Sequence, residues 1–151
     1  METLHRLFFA DATAMDGLSA ESIDLVVTSP PYPMIEMWDE LFCAADPAVQ
    51  IALAAADTDQ AFERMHAQLD NVWAELRRVV KPGGIVCINI GDATRTMDGR
   101  FRLFANHARI ITAFRTLGFD QLPAIIWRKT TNAPNKFMGS GMLPPCAYVT
   151  L

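Results

Sequence analysis

One segment limits the choice of fold more than any other. Ile23-Asp24-Leu25-Val26-Val27 is β-branched and almost continuously apolar, and it stops abruptly at Thr28-Ser29-Pro30-Pro31-Tyr32. Such a run predicts a strand covered on both faces, because a half-solvated strand would alternate apolar and polar residues. The prolines end it. Neither can donate to a strand ladder, and Pro31 drives Pro30 toward extended backbone.

The rest of the chain supplies the partners such a strand needs. Phe62, Met65, Leu69, Val72, Trp73, Leu76 and Val80 recur at three- and four-residue steps, which predicts a helix over 59–80 with Asp57, Thr58 or Asp59 as its cap. Lys81-Pro82-Gly83-Gly84 stops that helix and turns the chain. Ile85 to Ile90 then reads as a second buried strand ending at Gly91-Asp92. A second helix is expected over Phe101–Leu117, stopped by Gly118, and a third strand over Leu122–Trp127. Alternating strands and helices predict an α/β domain with a largely parallel sheet, and 151 residues at 51 % hydrophobic content suit a single domain over 1–151. In that architecture ligands sit beyond the carboxyl ends of the strands, where both Thr28–Tyr32 and Gly91-Asp92 fall.

Several classes of protein are disfavoured. The apolar stretches are interrupted well short of the ~20 residues of a membrane span, and Met1-Glu2-Thr3 lacks the basic lead-in of a signal peptide. Three cysteines without CxxC or metal-type spacing read as free thiols of a reducing cytoplasm. No metal-ligand set and no Ser/His/Asp or Cys/His set is present, and His5, His66 and His107 read as structural or surface residues. Charge is uneven: residues 1–75 hold 14 Asp/Glu and 2 Lys/Arg, whereas residues 76–151 hold 3 and 11. That asymmetry suggests a face for a polyanion.

The chemistry is carried by Ser29-Pro30-Pro31-Tyr32. Two stiff prolines leave backbone carbonyls with few local donors, so the carbonyls can be held rigidly toward a cleft. Ser29 adds a hydroxyl that accepts and donates, and Tyr32 adds a flat aromatic face. An exocyclic amine of a nucleobase fits such a pocket. Its lone pair is delocalised into the ring, and acceptors holding its N–H groups would favour the pyramidal, nucleophilic form. A base reaches such a pocket only by leaving the duplex, and stacking on Tyr32, worth about 1–3 kcal/mol, would offset part of the unstacking.

Thr28-Ser29-Pro30-Pro31-Tyr32 resembles the catalytic motif of the exocyclic-amino DNA methyltransferases, in the Ser-Pro-Pro-Tyr form commonest among cytosine-N4 enzymes; adenine-N6 enzymes more often carry Asp at the place of Ser29. Further blocks follow in the family's order. They are Phe9-Ala10-Asp11 before the first strand, Arg78–Gly84 leading to Ile90-Gly91-Asp92, and Gly118-Phe119 followed by Ile125–Lys129. The resemblance implies a Rossmann-like sheet binding S-adenosylmethionine, with no metal, and double-stranded DNA presenting a flipped base. It implies catalytic roles for Ser29, Pro30, Pro31 and Tyr32 and a cofactor pocket including Asp11 and Thr28. Asp92, Trp127 and Lys129 are expected on the substrate side. Position 10 is alanine where the family usually has glycine.

The family's glycine-rich cofactor loop, Phe-x-Gly-x-Gly between a strand and a helix, is matched in letters by Phe137-Met138-Gly139-Ser140-Gly141 but not in context. In the subgroup whose catalytic motif comes first, that loop lies downstream. The chain is therefore expected to be the catalytic half, as a fragment or as one part of a split enzyme, with a downstream segment or second polypeptide carrying the loop. Methylation of adenine-N6 or of RNA, and an inactive nucleic-acid-binding subunit, stay open beside cytosine-N4 methylation.

Overall fold

The structure is a computed structural model, and it describes residues 2–128 and 146–150, with side chains as far as Trp127. Four strands form the main sheet: β1 (Ile23–Thr28), β2 (Val80–Ile90), β5 (Ile125–Arg128) and β6 (Cys146–Thr150), in the order β1-β2-β6-β5. β1 and β2 run parallel, while β6 is antiparallel to both β2 and β5. The three strands that run together therefore share one carboxyl edge, with β6 inserted between two of them. The expected α/β architecture is present, but the sheet is mixed rather than largely parallel: among the described strand pairs only β1–β2 is parallel. Residues 81–84 loop out of the β1–β2 register between the pairs Ile23–Val80 and Leu25–Ile85.

Helices α1 (Asp39–Ala45), α2 (Pro47–Ala54), α3 (Thr58–Val79) and α4 (Asn106–Thr116) complete the described architecture. α3 starts where the Asp57 carboxylate accepts the Gln60 amide hydrogen, and Arg77 and Arg78 complement the dipole of its last turn. Its buried stripe, Ala61, Met65, Leu69, Trp73 and Leu76, packs in one cluster with Ile88 and Ile90 of β2 and Ile110 of α4. α4 ends in a Schellman motif at Gly118: the Phe119 amide reaches the Phe114 carbonyl, the Gly118 amide reaches the Arg115 carbonyl, and the Phe114 and Phe119 rings pack at a 55° tilt with centroids 5.0 Å apart.

Three further expectations need correction. The predicted helix over 101–117 is a strand and then a helix: β3 (Ala93–Met97) and β4 (Arg100–Phe104) form a hairpin before α4 begins. Its two-residue turn is Asp98-Gly99, both at positive φ (+48° and +68°), the backbone that a tight antiparallel hairpin demands and that Asp-Gly tolerates best. Second, β1 is not covered on both faces. Leu25 is 55 % and Val27 73 % exposed, and on the same face Ile85, Ile125 and Trp127 are 42–52 % exposed. Among the described residues the helices cover only the opposite face. Third, part of the uneven charge is paired within the fold. Lys81 pairs with Asp24, Arg95 with Asp39, Arg102 with Asp59, and Arg109 with Glu63 and Asp70, so the basic half of the chain is stitched to the acidic half. No helix among the described residues is long and apolar enough to cross a membrane.

Candidate active site

Thr28 is the last residue of β1, paired with Ile88, and the chain leaves the sheet there. Pro30 is buried and anchors the segment, Ser29 is exposed, and Pro31 and Tyr32 are half-buried, with Tyr32 packed on the core cluster. A turn follows in which the Ile35 amide bonds the Tyr32 carbonyl at 3.2 Å. Pro33 stands second and Met34, at φ +65°, third, the pattern of a type II turn whose third position usually falls to glycine or asparagine. Met34 is 1 % exposed, and its amide points at Met65 Sδ, 3.3 Å away. A buried side chain thus holds a backbone conformation that an exposed methionine would avoid.

The two hydroxyls of the motif converge on the end of β2. Ser29 Oγ donates to the Asn89 carbonyl at 3.2 Å, Tyr32 Oη donates to the same oxygen at 3.3 Å, and the two hydroxyls are 3.3 Å apart. The side-chain oxygen of Asn89 is also buried, with no protein partner among the described residues. The corner therefore offers the free lone pairs of two hydroxyls, held on a carbonyl that accepts from both. Such a set suits a ligand that brings N–H groups, because a buried acceptor left unpaired costs about 1–3 kcal/mol.

Asp92 lies just past β2. Its carboxylate grips His107 Nδ1 at 2.7 and 2.8 Å and accepts the His107 amide at 3.2 Å, so it caps α4, whose own cap residue Ala105 has no side-chain acceptor. Asn106, next to it, bonds the carbonyls of Pro33 and Gly91. Asp92 is thus tied to the same strand end as Asn89 and Gly91. Trp127, on β5, lies at the opposite side of the sheet from β1, three strand spacings or roughly 14 Å away, near the same carboxyl edge.

Asp11 is not brought into this cluster by any described contact. Its exposed carboxylate closes a local turn with the Thr13 amide at 2.8 Å, and that bond holds its pKa below the usual carboxylate value. Lys129 and Phe137–Gly141 lie outside the described residues. No group of His, Cys, Asp and Glu among the described residues could hold a metal ion. Asn89, Asn106 and His66 were not singled out from sequence. The available signals were weak: an Asn-His pair immediately ahead of a periodic helix, and a histidine set among the apolar positions of α3.

A family model for DNA methylases of the N6/N4 type matches residues 23–142. The chain is 52 % identical over 151 residues to the type II methyltransferase M.MthZI of Methanothermobacter thermautotrophicus and 51 % identical over 160 residues to M.MjaI of Methanocaldococcus jannaschii. Each alignment covers 99 % of this chain but only 42 % and 53 % of those relatives, so the chain spans about half their length. A Thermus thermophilus protein, described as a candidate DNA modification methylase and solved with S-adenosyl-L-methionine, superposes with a TM-score of 0.70 at 32 % identity, over 97 % of this chain and 54 % of that one. The chain belongs to the N6/N4 DNA methylase family.

Proposed function

We propose that this chain is the catalytic half of an enzyme that transfers a methyl group from S-adenosylmethionine to the N4 amine of a cytosine flipped out of double-stranded DNA. The observation that carries the reading is the acceptor-rich corner where Ser29 and Tyr32 meet Asn89. An amine docked there finds oxygens for its N–H groups, and its nitrogen is left with a lone pair directed away from the pocket. Bound S-adenosylmethionine supplies an electrophilic methyl. When the N–C bond forms and the C–S bond breaks, S-adenosylhomocysteine would leave and positive charge would arrive on the nitrogen, where the Ser29 oxygen and the neighbouring carbonyls would stabilise it until its proton passes to water. Ser29 orients and polarises; it does not attack. Pro30 and Pro31 hold the corner stiff, and the Tyr32 ring is the plate on which the base stacks.

The described residues fit the amine better than they fit the whole cofactor. Thr28 stands at the strand end, but the Asp11 carboxylate is engaged in its own turn. A further segment, in the same polypeptide or a second one, would complete the cofactor pocket. The bare apolar face at Leu25, Val27 and Ile85 supports that reading, as does the half-length match to the curated relatives. Serine at position 29 favours cytosine over adenine.

The test is mass spectrometry of nucleosides from unmethylated DNA treated with the completed enzyme and S-adenosylmethionine. N4-methylcytosine is the expected product. N6-methyladenine would overturn the choice of base, and no methylated nucleoside at all would overturn the reading. Calorimetry with S-adenosylmethionine on this chain, alone and with the completing segment, reports whether the cofactor pocket is shared.

A further inference from the structure

Pro33 and Gly91 are 58 positions apart in sequence, and one side chain bonds both. The Asn106 carboxamide, fully buried in the first turn of α4, donates its two N–H groups to those carbonyls, each at 3.1 Å. Its oxygen accepts from His66 Nε2 at 3.0 Å. The amide cannot be turned around, because its oxygen would then face two carbonyl oxygens. Since that oxygen can only accept, His66 must carry its proton on Nε2. His66 is itself fully buried, edge-on to the Phe62 ring at 4.5 Å, and its Nδ1 is buried with no partner among the described residues. The pair is buried and fixed in orientation by these bonds.

Both carbonyls that Asn106 grips belong to the candidate site. Pro33 follows Tyr32 directly, and Gly91 lies two residues past Asn89, where the Ser29 and Tyr32 hydroxyls converge. The same two segments are therefore joined twice. The outer join is made by hydroxyls at 3.2–3.3 Å, with Ser29 exposed to solvent and to substrate. The inner join is made by a buried carboxamide that neither can reach. We infer that Asn106, oriented by His66, is the positioning clamp that keeps the Ser29–Tyr32 corner in register with the end of β2 while the outer hydroxyls exchange Asn89 for the incoming amine. The inference rests on the methyl-transfer reading for its purpose, but its geometry is tested without activity.

The experiment has three arms. In the wild-type chain at neutral pH, nitrogen NMR of the imidazoles, with His66 assigned by its through-space contacts to the Phe62 ring, is expected to show a proton on Nε2 and a bare Nδ1. Both Asn106 side-chain protons are expected to exchange slowly with solvent. The opposite tautomer, or rapid exchange, overturns the clamp even if no variant folds. In the second arm, His66→Leu removes the donor while filling the space, and His66→Gln returns an N–H at the same reach. The Leu variant should move the amide resonances of residues 29–33, and the Gln variant should restore them; a folded Leu variant with those resonances unmoved overturns the clamp. In the third arm, with the completed enzyme, S-adenosylmethionine and unmethylated DNA, His66→Leu should lower kcat about tenfold with the KM for cofactor unchanged within about twofold, rescued by Gln. Equal kcat in all three proteins overturns the clamp, whereas no transfer by the wild type overturns the proposed activity and leaves the first two arms standing.

Discussion

The side-chain oxygens of Ser29 and Tyr32 stand 3.3 Å apart and share one acceptor, the Asn89 carbonyl. Distances of 3.2–3.3 Å are long for O–H···O bonds, so neither hydroxyl is tightly held. Ser29 is thus free to turn toward a substrate amine. Its interaction should strengthen as charge develops on the nitrogen, which places its benefit in the transition state. Ser29→Ala is expected to lower kcat about 10- to 100-fold while leaving DNA affinity within about twofold. The check is a titration of DNA binding beside steady-state methyl transfer; equal losses in both would remove Ser29 from the chemistry.

Tyr32 makes a different contribution. Its ring is half-buried on the core cluster and its hydroxyl is the weaker partner of the Asn89 carbonyl. Tyr32→Ala removes the stacking plate and should weaken productive DNA capture by about 1–3 kcal/mol, seen chiefly in kcat/KM for DNA. Tyr32→Phe keeps the plate and drops one long hydrogen bond, so its kcat/KM should stay within about threefold of wild type. A Phe variant as damaged as the Ala variant would mean that the hydroxyl, not the ring, is what the site uses.

His66 links the same region to pH. Burial pushes its pKa down to about 4; the Asn106 hydrogen bond opposes this, Arg109 adds to it, and Glu63 and Asp70 oppose it. A histidine lowered from 6.5 to about 4 leaves the unfolded chain binding more protons than the folded one between those values. Stability therefore falls as pH drops through that window and levels off below it. From about pH 7.5 to about pH 5 the loss attributable to His66 is on the order of 2 kcal/mol. Urea unfolding at both pH values should show this loss in the wild type and not in His66→Gln. An identical pH dependence in the two proteins would contradict it.

The parts of the fold that could be read from sequence are those written locally. α3 declares itself through a stripe of six apolar residues, Phe62 to Leu76, and an aspartate cap, and the Ser29–Tyr32 corner through two prolines at a strand end. The β3–β4 hairpin differs from the helix expected over 101–117 because Phe101 and Phe104 have helical spacing, while the hairpin is signalled only by the two residues of its turn, Asp98-Gly99. Among the described residues one face of β1 is bare, because an apolar run reports what a strand is suited to, not which neighbours it has. The charge asymmetry pointed outward, yet Arg95–Asp39 and Arg109–Asp70 join positions 56 and 39 residues apart, a distance over which sequence carries no pairing information. His66 and Asn106 escaped for the same reason. They are 40 residues apart, and each alone has an ordinary helical setting.

Met34 offers a test of the turn that carries the chain away from Tyr32. Its φ of +65° costs an L-residue with a Cβ roughly 1–2 kcal/mol relative to glycine. Its side chain, 1 % exposed among core residues, is worth about 2–5 kcal/mol against a small replacement. Burial outweighs strain, so either truncation should destabilise the protein. The strain term then decides their order. Met34→Gly loses the side chain but gains the preferred backbone, whereas Met34→Ala loses the side chain and keeps the strain. In most buried positions alanine is the milder change; here glycine should be milder by about 1 kcal/mol. Urea denaturation of the two variants side by side decides it, and an alanine variant as stable as the glycine variant would mean that residue 34 does not hold the left-handed conformation in solution.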